Sequence, residues 1–227
     1  MNIDMKLIGA DQLLAIMNSP FANISYSQEG EDLLITRIIG HRRSGFYVDV
    51  GAHHPYRFSN TFIFYLQGWS GINIDATPGS MEPFYRHRPR DINLEVFVSD
   101  RTEPVPFDIF DEPALNTSDT SRKAVLTAYK AVDQVVLSPR RLDAILDEHM
   151  PAGTTIDFLS VDAEGADFDV IRSLDLNRYR PRLLITEDRS LDLSRLMENA
   201  FYRYLDAHGY ALISKLSASV IWEDRRA

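Results

Sequence analysis

GFYVDVGAHHPYRFSNTFIFYLQGWSGINID, residues 45–75, decides the fold of this chain. It opens on an apolar run, Phe46-Tyr47-Val48-Asp49-Val50, that stops at Gly51-Ala52. A β-rich run halted by glycine reads as a buried strand entering a tight turn. From Ser59 the period changes, with Phe62, Ile63, Leu66 and Trp69 on one helical face and Ser59 or Asn60 as cap. Gly68 ends that helix. Ile72-Asn73-Ile74-Asp75 then makes a second strand finishing in an acid, before the breaker Thr77-Pro78-Gly79. Strand, glycine turn, helix, strand and terminal acid form one βαβ unit of a doubly wound α/β fold. Ligands of such sheets sit outside the carboxyl ends of the strands, which places Asp49, Gly51 and Asp75 at one crevice.

A dinucleotide fingerprint needs a run of glycines so that backbone amides can approach a pyrophosphate. Here only Gly51 is present, with His53 and Tyr56 where small residues would be wanted. A carboxylate closing the first strand suits a cation or an ammonium group, and one closing the second suits a ribose diol. S-adenosylmethionine carries an amino group and a ribose but no phosphate. The segments VDVGAHHP, SNT, GW-x-GINID and the later SVDAEG resemble the FkbM family of S-adenosylmethionine-dependent O-methyltransferases. The resemblance implies a class I methyltransferase, a Rossmann-like, mostly parallel sheet with a C-terminal antiparallel hairpin. It also implies that the SNT residues Asn60 and Thr61 border the cofactor. The alternative reading of Asp49 and Asp75 is that they cap turns in another Rossmann-like domain.

The chain has 227 residues, enough for one α/β domain with an N-terminal extension. The expected division is 1–24, an amphipathic helical extension, and 25–227, the methyltransferase domain. Leu7, Ile8, Leu13, Leu14, Ile16 and Met17 are interrupted by Asp4, Lys6 and Asp11, a pattern of neither a signal peptide nor a membrane span. There is no cysteine, which excludes disulfides and Cys-ligated zinc. A formal charge of −9, from 33 acids against 24 bases, argues against broad nucleic-acid binding. The expected compartment is the cytoplasm, and a homo-oligomer remains an option.

Ser25 and Gln28 have the spacing of a capping box ahead of Leu33, Leu34, Ile38 and Ile39. By resemblance, the SQEGED run packs over the cofactor, making Gln28 and Asp32 cofactor candidates. The cluster Arg86-His87-Arg88-Pro89-Arg90 reads as a solvated helix end, or as a patch for an anionic lipid-linked or nucleotide-linked sugar. Ile92 to Val98 alternates as a third strand and ends in Ser99-Asp100; in methyltransferases of this fold such a pair lies beside the adenine. Val105–Phe110 reads as a strand outside the main pattern, and the polar loop 114–121 is a substrate-loop candidate.

Ile156–Val161 delivers Asp162-Ala163-Glu164-Gly165, and Leu183–Thr186 delivers Glu187-Asp188. Carboxylates crowded at two neighbouring strand ends repel unless something positive joins them. Three resolutions are open. Magnesium could be held by Asp162, Glu187 and Asp188. Asp162 or Glu164 could be the metal-free base that takes a proton from a sugar hydroxyl, with Asp162 also at the cofactor. Arginines such as Arg182 and Arg189 could pair the acids. His53, at the crevice mouth, is a further base candidate ranked below the acids. After a helix over the residues from Leu191, the runs Tyr210–Leu216 and Ser219–Trp222 complete the expected hairpin.

The resulting expectation is methyl transfer from S-adenosylmethionine to a sugar or glycan hydroxyl, with magnesium assistance as an option. The rivals are an NAD-linked oxidoreductase and a non-catalytic glycan-binding module.

Overall fold

The computed structural model describes residues 9–40 and 42–226. In chain order its helices are α1 (Ala10–Met17), α2 (Glu31–Ile39), α3 (Phe62–Leu66), α4 (Glu82–His87), α5 (Thr120–Val125), α6 (Leu142–His149), α7 (Asp167–Arg172) and α8 (Ala200–Ala207). Its strands are β1 (Phe46–Val50), β2 (Ser70–Asp75), β3 (Ile92–Glu95), β4 (Val105–Phe110), β5 (Ala131–Leu137), β6 (Phe158–Val161), β7 (Leu183–Glu187), β8 (Tyr210–Lys215) and β9 (Ser219–Asp224). Seven of these make one sheet in the order β3-β2-β1-β6-β7-β9-β8. The five from β3 to β7 run parallel, and β9 and β8 add as the antiparallel hairpin. β1 lies beside β2 on one flank and β6 on the other, so the order reverses at its carboxyl end and a crevice opens there.

The inner strands β1 and β6 are buried on both faces, as a parallel sheet covered by helices must be. Val48, Val50, Ile72, Leu159 and Val161 pack with Leu142 and Ile145 of α6, Val170 of α7 and Leu205 of α8. On the opposite face Tyr47, Phe158 and Ile185 pack with Ile35 of α2, Phe64 of α3 and Trp69. Each such side chain contributes roughly 1.5–3 kcal/mol by leaving water. Strand alternation puts Asp49 on the face of Tyr47, toward α3. β4 and β5 form a separate two-stranded arm between β3 and α6.

Several local expectations change. Ser25 and Gln28 do not cap a helix: α2 starts at Glu31 behind Gly30, whose φ is +88°. Ser25 Oγ donates to Asp32 instead, at 2.7 Å, because the carboxylate in the first turn of α2 lies closer than a helix amide. The third strand ends at Glu95 rather than Val98, and Val98 makes only an isolated bridge to Arg140. The basic cluster is a solvated helix end at Arg86, His87 and Pro89, but not at Arg88. Arg88 is wholly buried, and the Arg90 guanidinium lies 3.9 Å above the Tyr65 ring. Asp224, at the start of a charged tail, is buried in a bidentate pair with Arg180 at 2.7 and 2.5 Å. The N-terminal helix is found in α1, with Leu14, Ile16 and Met17 exposed; Leu7 and Ile8 fall outside the described residues.

Candidate active site

Gly51 follows β1 with φ +80°, a region that disfavours any side chain. A Cβ there would stand 1.8 Å from the Asp162 carbonyl oxygen, so glycine also permits the ends of β1 and β6 to touch. Beside this contact lies a small cavity of about 60 Å³. Val50, Gly51, His53, Asp75, Asp162 and Glu164 line it from the sheet side. Phe107, Ala114, Asn116 and Ser118 line it from the arm and the loop after β4. Asn116 Nδ2 donates to Thr77 Oγ1 at 3.0 Å, and Thr117 Oγ1 to the Glu164 carbonyl at 2.8 Å, fastening that loop over the cavity.

Asp75 ends β2 and accepts one backbone amide on each oxygen, His53 N on Oδ2 at 2.9 Å and Thr77 N on Oδ1 at 2.8 Å. A carboxylate oxygen offers two lone pairs, so one on each remains for a vicinal diol. Those amides also hold the carboxylate plane rigid. Asp162, past β6, has a buried Oδ1 with no hydrogen-bond partner. Burial pushes its carboxyl well above the usual range, Glu187 and Asp167 push the same way, and Arg122 opposes them. An orphaned acid facing a cavity is relieved by a cationic ligand. Val96, Phe97, Val98 and Phe107 make an apolar wall suited to a flat heterocycle, with Phe97 and Phe107 rings 6.1 Å apart. Acceptor for a diol, unpartnered acid and apolar slot match ribose, cationic amino-acid moiety and adenine of S-adenosylmethionine.

The remaining candidates divide. His53 lines the cavity on the Asp75 side with φ +53°, and burial lowers its pKa, with Asp75 opposing and Arg57 assisting. Glu164, at φ +48°, lines the other end and is ion-paired with Arg122. Asp49 is buried away from the cavity lining and accepts from Thr61 Oγ1 at 2.8 Å; Asn60 Nδ2 donates to Ser160 Oγ at 3.1 Å. Gln28 is exposed on the loop before α2. Asp32 is spent inside that same loop, accepting from Ser25 Oγ, Tyr26 N, Ser27 Oγ and Leu33 N. Ser99 and Asp100 do not line the cavity. Asp100 pairs with Arg172 at 3.0 Å, because the chain leaves the sheet after Glu95 and turns Phe97 and Val98 inward instead.

The expected magnesium site does not form: among the described residues no three metal-ligating side chains converge. Arginines neutralise the crowding instead. Glu187 pairs with Arg189 at 3.0 Å and lies 4.0 Å from Arg122. Asp188 accepts from Ser190 N and Oγ and from Asn199 Nδ2, which turns it out of the cluster. Asp167, not singled out from sequence, bridges the two strand ends by accepting Ala163 N and Glu187 N. Burial pushes its pKa up to about 7. Phe97 and Phe107 were also not signalled, whereas Asn116 lies in the loop 114–121 read as a substrate-loop candidate and lines the cofactor cavity instead.

Comparison with known proteins identifies the family. A family model described as the methyltransferase FkbM domain matches residues 49–212, from β1 into β8. No curated protein matches the chain. Among solved structures, a TehB-like SAM-dependent methyltransferase from Corynebacterium glutamicum aligns at 10% identity and TM-score 0.42, covering 94% of this chain and 95% of that one. TrmK of M. capricolum, in complex with S-adenosylhomocysteine, aligns at 10% identity and TM-score 0.43, covering 87% and 69%. Precorrin-6y C5,15-methyltransferase from Geobacter metallireducens aligns at 11% identity and TM-score 0.42, covering 91% and 94%. The family match spans most of the chain and displaces both the NAD-linked and the non-catalytic readings: the chain belongs to the FkbM family of S-adenosylmethionine-dependent methyltransferases.

Proposed function

We propose that this methyltransferase acts on oxygen, methylating a hydroxyl of a sugar or glycoside. When bound, the cofactor supplies a methyl group on a sulfonium, open to displacement by an aligned nucleophile. Asp75 would take the ribose diol, the Phe97–Phe107 wall the adenine, and Asp162 would face the cationic end. Most of the rate gain expected from such a site comes from proximity and orientation.

The single observation that carries the sugar reading is a second cleft, on the far side of the Glu164–Arg122 pair. Arg122, Phe168, Glu187, Arg189, Asn199 and Phe201 are among the residues that line it. Carboxylate, guanidinium and amide groups there stand beside a stacked pair of phenyl rings, Phe168 and Phe201, with centroids 4.9 Å apart. Mixed donors and acceptors next to aromatic carbon suit a polyol with apolar ring faces. Asp162 and Glu164 lie on the segment between the cofactor cavity and this cleft, so an acceptor hydroxyl would meet them first.

Of the two, Asp162 Oδ1 is the better proton acceptor, since Glu164 is committed to Arg122. A carboxyl whose pKa burial raises takes a proton more readily than an ordinary carboxylate. His53, beside the ribose-binding acid, is poorly placed for the transfer. The test incubates the protein with S-adenosylmethionine and a panel of methyl glycosides, oligosaccharides, catechols and thiols. Carbohydrate-dependent release of S-adenosylhomocysteine with a methylated sugar product is expected. Turnover on catechols or thiols alone would refute the assignment.

A further inference from the structure

Arg88 closes α4 and is fully buried, together with Asp91, Tyr47 and Thr61. Its Nε donates to Asp91 Oδ2 at 2.9 Å, Nη2 to Tyr47 OH at 2.7 Å and Nη1 to Thr61 Oγ1 at 2.9 Å. Thr61 Oγ1 in turn donates to Asp49 Oδ2 at 2.8 Å. A guanidinium can only donate, so the Thr61 hydroxyl must accept from Arg88 and has one proton left to give. That proton is therefore aimed at Asp49. On the other side, Ser160 Oγ sits 3.1 Å from Asn60 Nδ2, which also only donates, and the Ser160 hydroxyl proton is left for Asp49. Two donor-directed hydroxyls thus converge on one buried carboxylate from the SNT segment and from β6. Such an arrangement stabilises the anion and has no acceptor for a carboxyl proton.

We propose that Arg88 is a positioning residue for cofactor binding: through Thr61 it keeps Asp49 anionic at the end of β1, where its field draws the cationic methyl donor into the neighbouring cavity. The proposal rests on the methyl-donor reading of that cavity and adds a determinant outside its lining. Charged groups around Asp49 come from three directions: Arg88 behind α4, Asp91 ahead of β3 and Asp162 past β6. Burial raises the Asp49 carboxyl, while Arg88, Thr61 and Ser160 pull it back down. Removing one donor releases part of that pull, so Asp49 takes up its proton at a higher pH than in the wild type.

The experiment measures binding of S-adenosylmethionine and S-adenosylhomocysteine by calorimetry between pH 6 and pH 9 on the full chain. Thr61→Val preserves shape and removes only the hydroxyl; Thr61→Ser and Ser160→Ala are its companions. Thr61→Val should weaken S-adenosylmethionine several-fold near pH 6, with recovery toward pH 9. The loss should be smaller for the uncharged thioether product. Thr61→Ser should restore wild-type behaviour, and Ser160→Ala should repeat the Thr61→Val profile. Wild-type affinity in Thr61→Val, or a loss independent of pH and of cofactor charge, overturns the relay alone. No binding of either ligand by the wild-type chain overturns the methyl-donor reading and the relay with it.

Discussion

Replacing Asp75 with Asn isolates the contact proposed for the cofactor ribose. The carboxylate presents two free lone pairs, one per oxygen, because each oxygen already accepts a backbone amide, His53 N or Thr77 N. An amide in the same place retains one acceptor oxygen. Its NH₂ group faces whichever backbone N–H that oxygen does not reach, so one donor is orphaned as well. Hydrogen bonds to a charged group are worth roughly 1.5–3 kcal/mol each. Losing one of the two ribose contacts and weakening the other should cost about 2–4 kcal/mol of cofactor affinity, or roughly 30- to 1,000-fold in Kd. Calorimetry with S-adenosylhomocysteine reads this directly. Repeating it with the 2′-deoxyribose analogue closes a double-mutant cycle, in which Asp75→Asn and loss of the hydroxyl should be strongly non-additive. Binding within twofold of wild type, in a folded variant, would show that the ribose lies elsewhere.

Three further outcomes follow from the same geometry. Asp162→Asn should lower kcat by about a hundredfold or more while S-adenosylhomocysteine affinity changes only a few-fold, and equal loss of both would remove Asp162 as proton acceptor. Asp167 holds its proton up to about pH 7 in the folded state but releases it near 3.8 when unfolded. Its contribution to stability is therefore present below the unfolded value and lost as pH rises toward 7. His53 and His54, lowered by burial, act in the opposite sense. The informative quantity is thus how the urea midpoint moves from pH 5 to pH 8 in wild type compared with Asp167→Asn; no difference would contradict the assignment. Finally, Asp224→Ala strands the Arg180 guanidinium, which is largely buried, and should destabilise the fold by about 3 kcal/mol, visible as a lower urea midpoint.

The fold was legible because residues 45–75 carry both periods in sequence, a strand alternation broken by Gly51 and a helical face from Phe62. Acids at successive strand ends pointed to the crevice, and Asp75 and Asp162 stand in its wall. What escaped depended on distant partners. Nothing near Asp100 shows that Arg172 will claim it, or that Phe107 will come from a separate arm to meet Phe97. The charge run at Arg86–Arg90 looks solvated in one dimension, yet Arg88 is buried because Asp91, Tyr47 and Thr61 satisfy it. Likewise the acid pair Glu187-Asp188 read as metal ligands until Arg122, Arg189 and Asn199 could be seen beside it.

β9 follows β8 in the chain but lies inside it in the sheet, wedged against β7. During synthesis the outer edge of β7 therefore stays unpaired while β8 emerges, and β8 has no strand to join until its successor arrives. Glu29 and Glu31 add to this dependence, since they bind the amides of Ala218 and Ser219 and the Ser219 hydroxyl at the mouth of β9. The loop ahead of α2 is locked to the sheet by a segment 189 residues later in the chain. A nascent chain stalled before residue 219 would display a naked, apolar ladder of backbone groups, and would be the form most in need of a chaperone.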